Sequence, residues 1–167
     1  MEKWVVTAKR ADFQAIAEKF HIDPVTARLI RNRDVVGEEN IRIYLHGSRN
    51  DMCDPWKLKD MEQIVRILMK KIQETRKIRI IGDYDIDGVM STYILLKGLT
   101  GVGANVDHVI PNRMTDGYGI NENLIEQASQ EQVDTIITCD NGIAAYTQIQ
   151  RANELGITVL VTDHHEV

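Results

Sequence analysis

The sequence predicts a Rossmann-like α/β domain, a parallel sheet flanked by helices, with an N-terminal helical segment ahead of it. Three observations carry this. Up to about residue 76 the apolar residues recur at three- and four-residue steps. From Lys77 onward, short β-branched runs alternate with stretches long enough for a crossover helix. Three of those runs end in acidic or imidazole side chains, which is where open parallel sheets collect their chemistry.

The elements can be justified in order. "DPVTARLIRNR" opens with Asp23 as N-cap and Pro24 at the first helical position, and "DPWKLKDMEQIVRILMKKIQET" repeats that opening with Asp54 and Pro55. In the second stretch Leu58, Met61, Ile64, Val65, Leu68 and Ile72 form one apolar face, with Lys70, Lys71 and Glu74 off it. This is a helix packed on something, and its methionines read as core fillers. Strands are expected at 78–81, 106–110, 134–138 and 157–162. Helices are expected within 88–99, 121–130 and 142–156, the last stopped by Gly156. Strand alternating with helix means parallel pairing through right-handed crossovers. The organisation is then an N-terminal helical segment, residues 1–76, packing on the core, and an α/β domain, residues 77–167.

Composition bounds the class. A chain of 167 residues with 43% hydrophobic residues can bury one ordinary core. Cys53 and Cys139 lie far apart in unlike contexts, which supports neither a disulfide framework nor a C-x-x-C metal knuckle and suits a reducing, cytoplasmic location. The opening "MEKWVVTAKR" has no apolar signal core, and no window reaches the roughly 18 apolar residues of a membrane span, so no membrane role is expected. The net charge of −5 hides a division. Residues 1–80 carry 17 Lys and Arg against 12 Asp and Glu, whereas residues 81–167 carry 3 against 13. Such asymmetry suits a cation-loaded acidic site beside a basic surface, although solvated helix faces account for the basic half equally well.

The acids concentrate in "GDYDIDG", where Asp83, Asp85 and Asp87 occupy alternate positions, in "CDNG" with Asp140, and in "DHH" with Asp163, His164 and His165. Carboxylates that close repel one another unless protonated or held by cations. Oxygen and imidazole ligands suit Mn²⁺ or Mg²⁺, and Zn²⁺ less well without a thiolate. A calcium loop is rejected, because the position that needs a bidentate Glu falls on Ile94. A phosphatase with a nucleophilic Asp fits Asp85 and Asp87 locally but leaves Asp83, "CDNG" and "DHH" unexplained. Any one of these aspartates could be a helix cap or turn former; all of them together are not explained that way.

Together these motifs resemble the first three motifs of the DHH phosphoesterase superfamily, and their flanks, from the opening "KW" through "DPWKLKDM" to "PNRMTDGYG", resemble its single-strand-specific exonuclease branch. The resemblance implies a Rossmann-like sheet and two divalent cations, Mn²⁺ or Mg²⁺, that activate water against a phosphodiester, with 5′→3′ digestion of single-stranded DNA in recombination and repair. It implies Asp83, Asp85, Asp87, Asp140 and His164 as metal ligands or their immediate supports, and Asp163 and His165 around them or near substrate. Asp85, Asp140, His164 and His165 are accordingly the catalytic candidates. Where some relatives carry a histidine, this chain has Ile81, so one ligand of the second metal is either absent or replaced by Asp83. The chain ends two residues after "DHH", ahead of the fourth motif, so the expectation is a C-terminally truncated domain, inactive alone, that binds Mn²⁺ weakly. Single-strand-binding protein and other repair proteins are the partners such a branch suggests.

Other residues are less specific. Arg113 in "PNRMTDGYG" is a phosphate contact or an ordinary loop residue. Tyr84 packs or stacks with a base, packing being favoured. His21, His46 and His108 stand alone and read as structural. Cys139 reads as a buried small hydrophobe. Besides the exonuclease, two functions stay open: a related phosphoesterase acting on an oligonucleotide, cyclic dinucleotide or pyrophosphate, and a non-catalytic nucleic-acid-binding module.

Overall fold

A computed structural model of the chain describes residue 3 and residues 9–166; Trp4 of the opening "KW" and Val167 lie outside the described residues. The chain divides into two compact units, residues 1–57 and residues 58–167.

In the first unit α1 (Phe13–Phe20), α2 (Pro24–Asn32) and α3 (Glu38–His46) bury Ala17, Ala27, Ile30 and Ile41. Asp23 caps α2 as expected, its Oδ1 accepting from the N–H groups of Val25 and Thr26 at 2.9 Å. Asp54 and Pro55 start only a 3₁₀ turn, Pro55–Lys57, rather than the long helix expected there.

The second unit begins with α4 (Met61–Gln73). Its start falls after Asp60, whose left-handed φ of 58° breaks the helical path from Pro55, and Leu58 stays 63% exposed. The face of α4 that packs on the sheet is Ile64, Ile67, Leu68 and Ile72, so this helix belongs with the α/β unit and the boundary between units precedes it. Four parallel strands follow: β1 (Lys77–Ile81), β2 (Asn105–Val109), β3 (Thr135–Cys139) and β4 (Thr158–Thr162). They are ordered β2-β1-β3-β4. They are joined by α5 (Ile86–Gly101), α6 (Glu122–Gln130) and α7 (Tyr146–Glu154).

Alternation along the strands makes three layers. Ile78 and Ile80 of β1, Ile137 and Cys139 of β3, and Leu160 of β4 pack with α4 and with Leu95, Leu96 and Leu99 of α5. Ile81 and Ile136 point the other way, into a cluster with Leu124, Ile125 and Ala128 of α6 and Ala152 of α7. β1 and β3 are neighbours but not consecutive, so the chain leaves their carboxyl ends in different directions and opens a crevice between them.

One charged side chain is built into this core. Arg79 of β1 is 3% exposed and forks onto Asp107 of β2, Nε to Oδ1 at 2.7 Å and Nη2 to Oδ2 at 2.6 Å, while Nη2 also donates to Glu131 at 2.5 Å. The hydrogen bond from Arg79 holds Glu131 well below the ordinary carboxylate value of 4.5, at about 2. A carboxyl whose folded pKa is depressed stabilises the fold above its unfolded value and loses that contribution as pH falls towards the folded one. Stability should therefore fall between about pH 4.5 and 2 in the native chain. Glu131→Gln should flatten that acid limb, which urea denaturation at stepped pH will read.

Candidate metal centre

The loop after β1 sets the first carboxylates. Asp85 is the N-cap of α5, its Oδ1 accepting from the backbone N–H of Asp87 and of Gly88, both at 3.0 Å. These bonds, the Gly88 one first, lower its pKa and leave Oδ2 for another partner. Gly88 is required for close approach, because a Cβ there would stand 2.5 Å from the backbone oxygen of Asp83. Asp83 is 2% exposed, and its Oδ1 is buried with no hydrogen-bond partner. Such an orphaned carboxylate oxygen is unfavourable unless something positive meets it.

β3 contributes Asp140, 8% exposed and held at a left-handed φ of 62°. The strand-end clip is Asn141, fully buried, whose Nδ2 donates to the backbone oxygens of Ile81 and Cys139 at 3.0 and 2.9 Å while Oδ1 accepts from Ile120 N–H at 3.2 Å. Asn141 thus ties the ends of β1 and β3 to the loop before α6. Sequence reasoning missed it, because an Asn between Asp and Gly reads as a turn residue and two of its three partners are remote in sequence.

After β4 the "DHH" segment is a turn. In a strand, adjacent histidines would point to opposite faces. Here the two imidazole rings have centroids 4.4 Å apart and converge. Asp163 organises the turn: its Oδ1 accepts from the N–H groups of His164 and His165 at 2.8 and 3.1 Å, and its Oδ2 from that of Ile143 at 2.9 Å. Burial pushes the Asp163 carboxyl up, but these donors and His165 outweigh it and hold it low. His165 Nδ1 sits 2.7 Å from Asp163 Oδ1, which raises the imidazole pKa and leaves Nε2 directed elsewhere. His164 Nε2 is 2.9 Å from Asp140 Oδ1.

The result is two groups of donor atoms, each within 4.8 Å: Asp83, Asp85 and Asp140, and Asp140, His164 and His165. Asp140 belongs to both. Burial and the neighbouring Asp85 push its carboxyl above the ordinary range, against the opposing contact from His164. Hard oxygens with imidazole suit Mn²⁺ or Mg²⁺, and the orphaned Asp83 oxygen is the atom a cation would satisfy, so the residues fit such ions. Asp87 is in neither group; it is exposed on the first turn of α5 and lines one cleft with Ser91, Asp140 and His164. Arg113 lies over the Tyr84 ring, 5.3 Å from its centroid. Tyr84 in turn meets the edge of Tyr118 at 6.4 Å. Tyr118, also missed from sequence, donates from its hydroxyl to the Asp140 backbone oxygen at 2.9 Å. Cys139 is buried with Sγ 3.4 Å from Thr92 Oγ1, as a core residue.

Acids and imidazoles gathered at the carboxyl edge of a parallel sheet form a candidate centre for divalent metal ions. The model of the DHH family, N-terminal domain, matches residues 77–167, and the chain belongs to the DHH family. Within it the chain is homologous to the single-stranded-DNA-specific exonuclease RecJ. It is 38% identical to that of Bacillus subtilis over 165 residues, covering 98% of this chain and 21% of the relative, and 34% identical to that of Escherichia coli over 146 residues, covering 86% and 24%. A crystal structure of exonuclease RecJ bound to manganese matches with a TM-score of 0.62 at 36% identity, covering 65% of this chain and 28% of the other. That of RecJ in complex with Mn²⁺ from Thermus thermophilus matches at 0.59 and 26% identity, covering 92% and 21%. The chain thus spans roughly a quarter or less of the curated relatives' length. No helix among the described residues is long and apolar enough to cross a membrane.

Replacing Asn141 by Ala removes three buried hydrogen bonds at once. Unfolding free energy should fall by about 2–3 kcal/mol in denaturant titration, with circular dichroism showing a native fold at zero denaturant.

Proposed function

We propose that this chain is the metal-holding part of a RecJ-type exonuclease that hydrolyses phosphodiester bonds of single-stranded DNA with two Mn²⁺ or Mg²⁺ ions. The observation that carries the reading is the meeting of two donor groups at Asp140. When bound, such cations would supply charge stabilisation for displacement at a phosphodiester and would lower the pKa of a coordinated water. Asp83 and Asp85 would hold one ion and His164 and His165 the other, with Asp140 between them. Asp163 positions His165 by fixing its Nδ1, so that Nε2 is the ligating atom. Asp87, on the first turn of α5 in the cleft it shares with Asp140 and His164, is placed to join the donors around an ion. Arg113, steadied on Tyr84, is placed to meet a substrate phosphate. The same reading sets the protein in the cytoplasm, in DNA recombination and repair, where single-strand-binding protein and other repair proteins are fitting partners.

With Mn²⁺ and end-labelled DNA, the intact protein carrying this chain should degrade single strands and spare duplex. Asp140→Ala should take cleavage below detection and, by electron paramagnetic resonance, remove both bound Mn²⁺ ions, whereas Asp83→Ala should remove one. Undiminished cleavage with Asp140→Ala would place the chemistry elsewhere.

A further inference from the structure

The loop between β2 and α6 is locked before it reaches the donors. Asn112 N–H donates to Asp116 Oδ2 at 2.8 Å, Asn112 Oδ1 accepts from the N–H of Met114 at 2.9 Å, and Asn121 Nδ2 donates to the Asp116 backbone oxygen at 3.2 Å. Further on, Gly119 at φ 66° runs so close to Asn141 that a Cβ on it would lie 3.0 Å from the Asn141 Cβ. Between these fixed points stands Tyr118.

Its hydroxyl meets two parts of the centre at once. It donates to the backbone oxygen of Asp140 at 2.9 Å and lies 3.4 Å from His165 Nδ1. A phenol has a single proton to give. With that proton on the Asp140 oxygen, the hydroxyl faces Nδ1 as an acceptor, as Asp163 Oδ1 does at 2.7 Å. Both neighbours of Nδ1 therefore favour a hydrogen there, which leaves the Nε2 lone pair free. The Asp140 contact acts separately. That residue stands at a left-handed φ of 62°, which side chains seldom adopt, and a bond on its carbonyl steadies the turn that aims its carboxylate.

We propose that Tyr118 is a positioning residue of the metal centre, its hydroxyl holding the Asp140 turn and the His165 ring in the arrangement that takes the ion on the histidine side. The inference rests on the two-ion reading above and adds to it a residue that acts through two of the ligands. Phenylalanine would keep the ring, with its edge contacts to Tyr84 and His165, and lose only the hydroxyl. Tyr118→Phe thus separates the hydroxyl's role from the ring's.

Mn²⁺ titration of the intact protein carrying this chain, read by electron paramagnetic resonance, tests it. Tyr118→Phe should weaken one of the two ions about tenfold, the loss typical of a group that orients a ligand. With single-stranded DNA, kcat at limiting Mn²⁺ should fall and recover as Mn²⁺ is raised, while KM stays at the wild-type value. A second measurement needs no variant: without divalent ions, long-range ¹H–¹⁵N spectra of the wild-type protein should place the hydrogen of the neutral His165 ring on Nδ1. Wild-type affinity for both ions in the Phe variant, lost activity that no Mn²⁺ concentration restores, or the His165 hydrogen on Nε2 would overturn the inference. A raised KM with both ion affinities unchanged would give Tyr118 to the substrate instead and equally overturn it. The function reading falls separately, through cleavage that survives Asp140→Ala.

Discussion

Like charges held within reach of one another are the constraint around which this domain is arranged. Asp83, Asp85 and Asp140 bring carboxylate oxygens within 4.8 Å, a placement that solvent and mutual repulsion would dissolve in a flexible loop. The sheet supplies the rigidity. β1 and β3 pair in register from Ile78 with Thr135 to Ile81 with Thr138, so their ends arrive side by side, and Asn141 fastens those ends together. β4 pairs with β3 through Cys139 and Thr162, which delivers the two histidines one strand further along. Each donor therefore stands at the end of a stiff element, and the left-handed backbone of Asp140 is a local strain the surrounding ladder absorbs.

The two edges of the sheet treat their acids differently. Towards the amino edge, Lys71 pairs with Asp134, Lys77 reaches Asp107 and Glu131, and Arg79 holds those same two carboxylates. At the carboxyl edge, Asp83, Asp85, Asp140 and Asp163 have no Lys or Arg ion pair among the described residues; Asp140 meets His164 and Asp163 meets His165. The composition that looked merely acidic in residues 81–167 is thus compensated at one edge and open at the other. An anion approaching the open edge meets repulsion unless cations offset the charge there.

Much of this was legible in the sequence because it is local. β-Branched runs, Pro24 behind Asp23, and the stop at Gly156 each carry their signal within a few residues, and the acids at strand ends follow once the strands are placed. What was illegible depended on contacts across the sheet. The start of α4 was read at Pro55 because a capping pattern there is real, but it caps a 3₁₀ turn, and the left-handed Asp60 that restarts the chain has no sequence signature. The convergence of the two histidines needed the Asp163 turn, whose Oδ2 accepts from the N–H of Ile143, twenty positions earlier. Asn141 and Tyr118 act through backbone groups of residues remote in sequence, which no motif displays.

That difference explains why one aspartate of "DYDIDG" parts company with its neighbours. Three acids at alternate positions look equivalent as a string, and would be in a strand, where alternate side chains share a face. The strand ends at Ile81, and helix α5 begins between Asp85 and Asp87. Across that junction the period changes from two to 3.6, so Asp83 faces inward, Asp85 turns to cap the helix, and Asp87 rides on its first turn in solvent. Its carboxylate still lies near the positive end of the α5 dipole, which favours it there without any metal. Equal spacing in the sequence thus becomes three different placements, with Asp87 on the helix side of the cleft it shares with Asp140 and His164.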